Sequence, residues 1–593
     1  MRGTLTNLFR RTTIQSVDDV SINSNRVSET HDSGDYTSKK EDHTTVIEVG
    51  TPEEKKNPLG YSVGPLSVIV LIIQGVVGTG IFTGPGTIVK SMGSIGSTYV
   101  LWLSCFFLPM FSVFLYVEFA GYYPKRNGGD VAYLEQAYTK PKFLFPTIYA
   151  AVSVVLSFTT SSALAVGQYL LSASGAEVTT WHYRGIAIAA LTLSCVHIGL
   201  STKWSLRLQN LLGFVKVVFM VFIVILGFVV LGGGTKVKDP HASFTNMWEG
   251  TTTQGNNIAN SIINVAFSYG GYIYAFGVVA EYSSSKKGQT ESEREKSMIR
   301  TFSFYVPVSM IVILILYILM ITAYYAGGTP DEIKHSGNGV ATILFQNAFQ
   351  NKSATKFLNV MVALSAYGHL VTAVLSHSRG LRECGRQGVL PFPKFWTSTK
   401  PFGTPLGPIL VTWIVNFIMI VAPPAGSAFN FIVDMGSYSG YIFTLALICG
   451  LLKVRRDRKL RNLGTKGQYL PLPCIIILLL FELMVIILAF VPPKHGLIGS
   501  DVTFFYATYP IVTIGLLMLC IAYYFVWRYT LPKLGGYVHR EVEYILQNGE
   551  IGNTIVKVKL EDVEQWDNEH GTDEYGVAKT VVLKYEDVES QKT

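Results

Sequence analysis

Long apolar stretches, separated by short polar segments, run through most of this chain. Two of them read "FVKVVFMVFIVILGFVVL" and "CIIILLLFELMVIILAFV". Stretches of about 20 apolar residues match the roughly 30 Å thickness of a bilayer's hydrocarbon core, so each predicts a membrane-spanning helix. The pattern predicts twelve spans, at about residues 63–88, 97–122, 144–172, 184–200, 208–232, 257–280, 302–326, 356–376, 406–423, 427–452, 470–491 and 503–528.

Polar segments flank the spans at both ends of the chain. Residues 1–60 are rich in Ser, Thr, Asp, Glu and Lys and poor in aromatic residues, which is typical of a disordered tail. The segment from residue 531 is polar, with short strand-like patches "TIVKVKL" and "TVVLKY". The predicted organisation is therefore an amino-terminal tail (1–60), a ten-helix core (61–455), two appended helices (456–530) and a carboxy-terminal tail (531–593).

The composition supports an all-α polytopic membrane protein. Of 593 residues, 49% are hydrophobic and only 15% are charged, whereas a soluble domain carries about 25% charged residues. The net charge of +8 does not indicate a nucleic-acid partner, because Lys and Arg are spread over short loops. A basic face interleaved with aromatic residues would be needed for that.

The distribution of Lys and Arg predicts the orientation in the membrane. The loops after spans 2, 4, 6, 8 and 10 hold about 23 positive residues, against about 8 in the alternate loops. Positive residues are enriched in the cytosolic loops of membrane proteins. Both termini are therefore expected in the cytosol.

No sequence motif points to enzyme chemistry. The six cysteines lack metal-binding spacing such as CxxC, and Walker A, HExxH and GxSxG motifs are absent from the sequence. The stretch "GTGIFTG" has the spacing GxGxxxG rather than that of a dinucleotide fingerprint, and no βαβ unit surrounds it. We expect no catalytic residues, no cofactor and no metal.

Two spans carry glycines where a helix would be expected. Span 1 contains "IIQGVVGTGIFTGPGT" and span 6 contains "NVAFSYGGYIYAFGVVAEY". Interrupted helices at corresponding places in two halves indicate a transporter site, because the freed backbone groups need a solute or a cavity. Helix amino termini suit a carboxylate and freed carbonyls suit an ammonium group, so a zwitterion is expected. Close helix packing through Gly80-x-x-x-Gly84 is the alternative.

Several stretches resemble a known family. "GVVGTGIF" resembles the first-span signature of the amino acid–polyamine–organocation superfamily. "FSYGGYIY", "YVEFAGYYPKRNGGDVAYLEQAY" and "SRGLRECGRQGVLP" resemble its L-type amino acid transporter branch. "LQNLLGFVK", "FTNMWEGT", "APPAGSAFNF" and "YYFVWRYTLPKLGGY" are similar to the fungal high-affinity methionine permeases. The resemblance covers about residues 57–540.

The resemblance implies a leucine-transporter-like fold: a 5+5 inverted repeat with broken helices 1 and 6, and two appended helices. It implies a plasma-membrane permease that imports a neutral amino acid, with methionine as the expected substrate. Cysteine and other large neutral amino acids are alternative substrates, and an amino acid sensor of the same fold is an alternative function. A channel is a further alternative, but no repeated carbonyl filter is visible in the sequence.

The resemblance also implies a set of substrate-binding residues. Those of span 1 would bind the carboxylate and those of span 6 the amine, with the Phe267 ring as a lid. The substitution of Tyr272 and Ile273 for a Trp-Asn pair implies a different side-chain selectivity from the animal branch. No external cysteine matches the one that joins a glycoprotein heavy subunit, so a single-chain carrier is expected. The residues implied in this way are Val76, Gly78, Thr79, Gly80, Phe267, Ser268 and Gly270. Tyr367, inside span 8, is a separate candidate for the lining of the pocket.

One lysine falls deep inside a predicted span. Lys216 lies nine residues beyond Arg207 at the cytosolic edge, which is about 14 Å along a helix and near the midplane. Charges at that depth are expensive and usually functional, although a structural lysine bonded to carbonyls is the alternative. In proton-coupled members of the superfamily the matching lysine takes the place of a sodium ion, so the resemblance implies proton symport.

Two further groups complete the predictions. Glu118 and Glu281, near the cytosolic ends of spans 2 and 6, are candidates for an inner gate, and interfacial charges are the alternative. The resemblance and the composition of the amino-terminal tail suggest ubiquitination and binding of a ubiquitin-ligase adaptor, with an inert tail as the alternative. The candidate lysines are Lys39, Lys40, Lys55 and Lys56.

Overall fold

Helices make up nearly all of the membrane part of the chain. The computed structural model describes residues 51, 54, 56–156, 159–175, 179–284, 290–336, 339–421, 427–463, 469–492, 505–546, 549–571 and 583–584.

In chain order the α-helices are α1 (Pro65–Val76), α2 (Gly80–Met92), α3 (Ile95–Cys105), α4 (Phe107–Tyr122), α5 (Asp130–Ala137), α6 (Leu144–Leu156), α7 (Thr160–Ser174), α8 (Thr180–Leu200), α9 (Thr202–Leu231), α10 (Gly255–Ser268), α11 (Ile273–Phe276), α12 (Glu291–Ala326), α13 (Pro330–His335), α14 (Val340–Phe349), α15 (Lys352–Arg386), α16 (Pro393–Thr397), α17 (Leu406–Val421), α18 (Ser427–Leu460), α19 (Leu472–Leu488), α20 (Thr508–Phe525), α21 (Leu531–Gly535) and α22 (Val563–His570). Short 3-10 turns occupy Ala242–Phe244 and Val279–Glu281, and a π-helical turn occupies Val526–Thr530.

Each of the twelve predicted ranges contains helix. Among the described residues, eight helical segments are long and apolar enough to cross a membrane, and four shorter helices are also apolar. The prediction of an all-α membrane protein is confirmed to this extent. The count of twelve spans and their inverted repeat remain predictions.

Spans 1, 3 and 6 are each interrupted in the structure, span 1 between Val76 and Gly80. Span 6 is divided into α10, α11 and the turn at Val279–Glu281, as its glycines led us to expect. Span 3, predicted as one helix over 144–172, is divided into α6 and α7. The amide oxygen of Asn416 accepts hydrogen bonds from the Thr159 backbone N–H at 2.7 Å and from the Thr160 hydroxyl at 2.8 Å. The start of α7 is therefore satisfied by a distant helix, which the local sequence could not reveal.

Helix α1 lies in the interior of the helical bundle. Nine of its twelve residues are buried, and it packs against α9, α12 and α15. A polar side chain inside it, Gln74, is fully buried. A helix that is enclosed by protein can lose backbone hydrogen bonds inside the membrane without exposing them to lipid.

A small sheet forms in the carboxy-terminal tail, where the strand-like patches were predicted. Strands β1 (Tyr537–Ile545) and β2 (Ile551–Lys559) pair antiparallel, and β3 (Leu583–Lys584) adds to β1 in parallel. The sheet contacts the carboxy-terminal end of α15, where the Arg386 Nε donates to the Ile551 carbonyl at 2.8 Å. Glu550 accepts from the Thr399 backbone N–H at 2.9 Å.

The last residues of the predicted amino-terminal tail are packed against the protein. Thr51 is buried, and its hydroxyl donates to Glu135 at 2.9 Å. Glu54 lies 2.5 Å from the Arg382 Nη2 atom. Burial alone would raise the pKa of Glu54, but the guanidinium groups of Arg382 and Arg386 outweigh this effect and lower the pKa. Thr51 and Glu54, which fall in the predicted tail, are thus held by contacts with residues that are distant in the sequence.

We predict that Gly227→Val destabilises the contact between α9 and α12. A Cβ atom at Gly227 would lie 2.3 Å from the Cβ atom of Ala323, and overpacking of this kind costs about 1–3 kcal/mol. The melting temperature of the purified protein should fall by several degrees. Gly515→Val is the matched control, because a Cβ atom there has no heavy atom within 4 Å. Equal melting temperatures for the two variants would contradict the packing.

Candidate functional site

The two helix breaks lie against each other. Helix α1 ends at Val76 and α2 begins at Gly80, while α10 ends at Ser268 and α11 begins at Ile273. Gly271 has a φ of +91°, which L side chains rarely adopt, and a Cβ atom there would lie 2.1 Å from the Gly75 carbonyl oxygen. A Cβ atom on Gly75 would lie 2.4 Å from the Gly271 oxygen. The backbones meet so closely that neither position tolerates a side chain.

Three side chains contact the carbonyls at the breaks. The Lys216 Nζ donates to the Val77 carbonyl at 2.5 Å. The Ser365 hydroxyl lies 3.2 Å from the same oxygen and 3.3 Å from that of Gly78. The Tyr317 hydroxyl lies 3.2 Å from the carbonyl oxygens of Val76 and Ser268, so it joins the two broken helices.

Lys216 is buried beside the break rather than extended to the membrane surface. Only 3% of its surface is exposed. It contacts a carbonyl of span 1 and lies next to Ser365 of span 8, whose hydroxyl contacts the same oxygen. Its role in coupling remains a prediction.

Tyr317 was not identified from the sequence. It is fully buried in a predicted span. The available signal was a tyrosine inside an apolar stretch, because a buried hydroxyl usually finds a hydrogen-bond partner. Which carbonyl it would reach depends on how α12 packs, and that is not visible in the local sequence.

A cavity of about 390 Å³ opens at the two breaks. Its volume is within the range of small-molecule sites, about 300–1,000 Å³. Seven of the eight predicted substrate-binding residues line it: Val76, Gly78, Thr79, Gly80, Phe267, Ser268 and Gly270. The Phe267 side chain is 61% exposed. A Cβ atom on Gly80 would lie 3.0 Å from the Ser268 hydroxyl, so the start of α2 packs closely on the end of α10.

Tyr367 does not line this cavity, contrary to the prediction. Its hydroxyl lies 3.1 Å from the Nε2 atom of His197. Two residues further along α15, His369 lines the cavity, and its Nδ1 atom lies 2.8 Å from the Ser162 hydroxyl. Successive helical residues are about 100° apart, so positions 367 and 369 point in nearly opposite directions.

The two candidate gate carboxylates each form a buried ion pair. Glu281 accepts from the Arg379 Nε at 2.8 Å, and both side chains are fully buried. Glu118 accepts from the Arg455 Nε at 2.7 Å and from the Tyr122 hydroxyl at 2.8 Å. Removing one partner of a buried pair typically costs about 3–5 kcal/mol. Each carboxylate therefore links two segments that are distant in the chain.

A second cavity, of about 210 Å³, adjoins the first. Tyr274 and His377 line both cavities, and the second one extends to Gly128 and Asp130 at the predicted cytosolic side. Burial raises the pKa of the Asp130 carboxyl to about 6, and the hydrogen bond from the Tyr116 hydroxyl opposes the rise. The two cavities together mark a route from the breaks toward the loop after span 2.

Of the remaining predicted residues, the four candidate lysines of the tail, the structure describes one. Lys56 is exposed, while Lys39, Lys40 and Lys55 fall outside the described residues. Within the described ranges, no group of three or more His, Cys, Asp or Glu side chains has an arrangement that could hold a metal ion.

Comparison with known proteins identifies the family. The family profile described as "Amino acid permease" matches residues 63–517, which is most of the chain. The chain belongs to the amino acid permease family. It is 31% identical to the high-affinity methionine permease of Saccharomyces cerevisiae over 89% of both chains.

Two further relatives of the chain described here support the same assignment. It is 25% identical to the low-affinity methionine permease of Saccharomyces cerevisiae, over 85% of this chain and 89% of the relative. It is 24% identical to the human cystine/glutamate transporter, over 68% of this chain and 76% of the relative. The resemblance to the amino acid–polyamine–organocation superfamily and its L-type branch is confirmed, and so is the expectation of a transporter rather than an enzyme.

We predict that Gly271→Ala abolishes amino acid binding. The added methyl group would overlap the Gly75 carbonyl oxygen and force the broken helices apart. Gly233→Ala is the matched control, because that glycine also has a positive φ (+75°) but open space around its Cβ position. Each variant would bear a backbone strain of about 1–2 kcal/mol. Binding of radiolabelled methionine to the purified proteins measures the difference, and normal binding by Gly271→Ala would disprove the close contact.

Proposed function

We propose that this permease imports a neutral amino acid across the plasma membrane by proton symport and alternating access, with methionine as the first candidate. The observation that carries the proposal is the meeting of two broken helices at one cavity, with a buried lysine on a carbonyl of the break. Methionine is chosen because two similar proteins are named methionine permeases.

The amino acid head group would bind between the two breaks. The amino terminus of α2, at Gly80, carries partial positive charge that suits the carboxylate. The carboxyl end of α10, at Ser268, carries partial negative charge that suits the ammonium group. Because a Cβ atom on Gly80 would lie only 3.0 Å from the Ser268 hydroxyl, both ends of the zwitterion would be within reach. Phe267, largely exposed, would close over the bound solute.

The proton would bind at Lys216. When charged, its ammonium group donates to the Val77 carbonyl and supports the break; when neutral, it donates more weakly and the break is less stable. Proton binding would thus favour one conformation of span 1. One elementary charge that crosses 100 mV releases about 2.3 kcal/mol, which supports roughly fortyfold accumulation at about 1.4 kcal/mol per factor of ten.

The cytosolic gate would consist of the two buried ion pairs. Glu281 of span 6 is paired with Arg379 of span 8, and Glu118 of span 2 with Arg455 of span 10. Spans 1, 2, 6 and 7 would rock against the others in an inverted-repeat fold of ten core helices and two appended ones. Each pair joins a rocking span to a static one, so both pairs would separate as the cytosolic side opens.

We predict that Lys216→Met abolishes concentrative uptake and its stimulation by acid. Met retains much of the bulk of Lys but cannot bind a proton. Lys238→Met, at an exposed position after α9, is the control and should transport normally. Uptake of radiolabelled methionine, measured with and without a pH gradient and with and without sodium, tests the prediction. Uptake by the wild type should not require sodium.

Two outcomes would overturn parts of this proposal. An unchanged pH profile in Lys216→Met would place the coupling group elsewhere. Binding without uptake by the wild type would favour the sensor over the permease. A competition panel of all twenty amino acids decides between methionine, cysteine and other large neutral substrates.

We further predict that the tail lysines control removal from the cell surface, through a ubiquitin-ligase adaptor. Lys56 is exposed and accessible to modification. Replacing Lys39, Lys40, Lys55 and Lys56 by Arg keeps the charge but blocks ubiquitination, so the permease should stay at the surface under excess methionine. Surface biotinylation measures this. Removal at the wild-type rate would show that the tail lysines are not the signal.

A further inference from the structure

The cavity at the breaks has one acidic residue that the ten-helix core does not supply. Glu482 belongs to α19, one of the two appended helices, and it lines the same cavity as Gly80 and Ser268. It is 5% exposed. Its Oε2 atom has no hydrogen-bond partner among the described residues. The ion pairs found in that part of the chain do not include it.

The surroundings of Glu482 contain hydroxyl groups rather than cations. Tyr272, beside α11, and Tyr441, of α18, both line the cavity and interact electrostatically with Glu482. The acidic residue of α18 near Tyr441 is Asp434. Helix α4, which also packs on α19, presents Ser112 to the cavity.

The other charges of these helices lie apart from the cavity. The α4 carboxylate Glu118 is paired with Arg455 of α18, and neither side chain lines the cavity. The titratable groups that line it from α15 are His369 and His377. Among the described residues that line the cavity with Glu482, none is a Lys or Arg.

A carboxyl group in this position is expected to hold its proton. An ionised carboxylate buried without a partner is strongly unfavourable, so such a group is usually neutral. A protonated carboxyl has one O–H donor, whereas Tyr and Ser hydroxyls can donate or accept. A protonated Glu482 would therefore present a hydrogen-bond donor to this part of the cavity.

We propose that Glu482 is a specificity-determining residue that binds the end of the substrate side chain. The proposal rests on the proposed function, because it takes the amino acid head group to lie at the two breaks. The side chain would then extend through the cavity toward Glu482. The acid would donate a hydrogen bond to a weak acceptor such as a thioether sulfur. The chemical class selected is an uncharged, unbranched side chain that ends near an acceptor atom.

The comparison of methionine with norleucine tests the proposal, because norleucine replaces the sulfur by a methylene group of similar size. We expect the wild type to bind methionine about fivefold more tightly than norleucine, the equivalent of about 1 kcal/mol for one neutral hydrogen bond. In Glu482→Leu the ratio should fall to about one. Glu482→Gln keeps a donor at nearly the same place and should retain most of the preference.

Binding to the purified full-length protein, without any gradient, keeps this test independent of proton coupling. Leu480→Ala is a matched control on the same helix, because Leu480 is 60% exposed and does not line the cavity. Its ratio should equal that of the wild type. A wild type that does not distinguish the two ligands, or a Glu482→Leu variant that still does, would overturn the role of Glu482.

The pH dependence of the methionine–norleucine ratio supplies a second measurement. Loss of the proton from Glu482 removes the donor, so the wild-type preference should decline at alkaline pH while that of Glu482→Gln stays constant. An equal decline in both proteins would contradict the proposal. A wild type that binds neither amino acid would instead overturn the proposed function, and the role of Glu482 with it.

Discussion

The requirement that every backbone polar group find a partner inside the membrane governs this structure. The breaks in spans 1 and 6 interrupt helical hydrogen bonding at the centre of the bundle, where lipid offers no replacement. Lys216, Ser365 and Tyr317 take over part of that role at the freed carbonyls. The burial of α1 by its neighbours follows from the same requirement, because a broken helix on the lipid-facing surface would be unstable.

Charged groups near the ends of the helices follow a corresponding rule, by which a buried ion is paired with an opposite charge. Glu281 and Glu118 are buried, but each is paired with an arginine from another helix. These pairs hold together helices that are distant in the chain, whereas the breaks keep the centre of the bundle open to a solute. The ends of the helices are thus joined by ion pairs, and the cavity lies between them. Glu482 differs from these carboxylates, because its Oε2 atom has no hydrogen-bond partner among the described residues.

Much of the site was predictable because glycines and a deep lysine are local signals. Gly78, Gly80 and Gly270 interrupt apolar stretches, and all three line the cavity. Other features depend on contacts between distant positions. The helix start at Thr159 is satisfied by Asn416, and the orientation of Tyr367 depends on how α15 is rotated about its axis. Such contacts are set by the packing of whole helices, which the order of residues along one helix does not specify.

The backbone contact between Gly75 and Gly271 limits how the permease can be re-engineered. A methyl group on Gly75 would overlap the carbonyl oxygen of Gly271, and one on Gly271 would overlap that of Gly75. Trimming a neighbouring side chain would therefore not remove the clash, since the nearest atom at both positions is a backbone oxygen. Directed evolution toward new substrates should leave these two codons unchanged. It should instead randomise the side chains that surround the part of the cavity near Glu482.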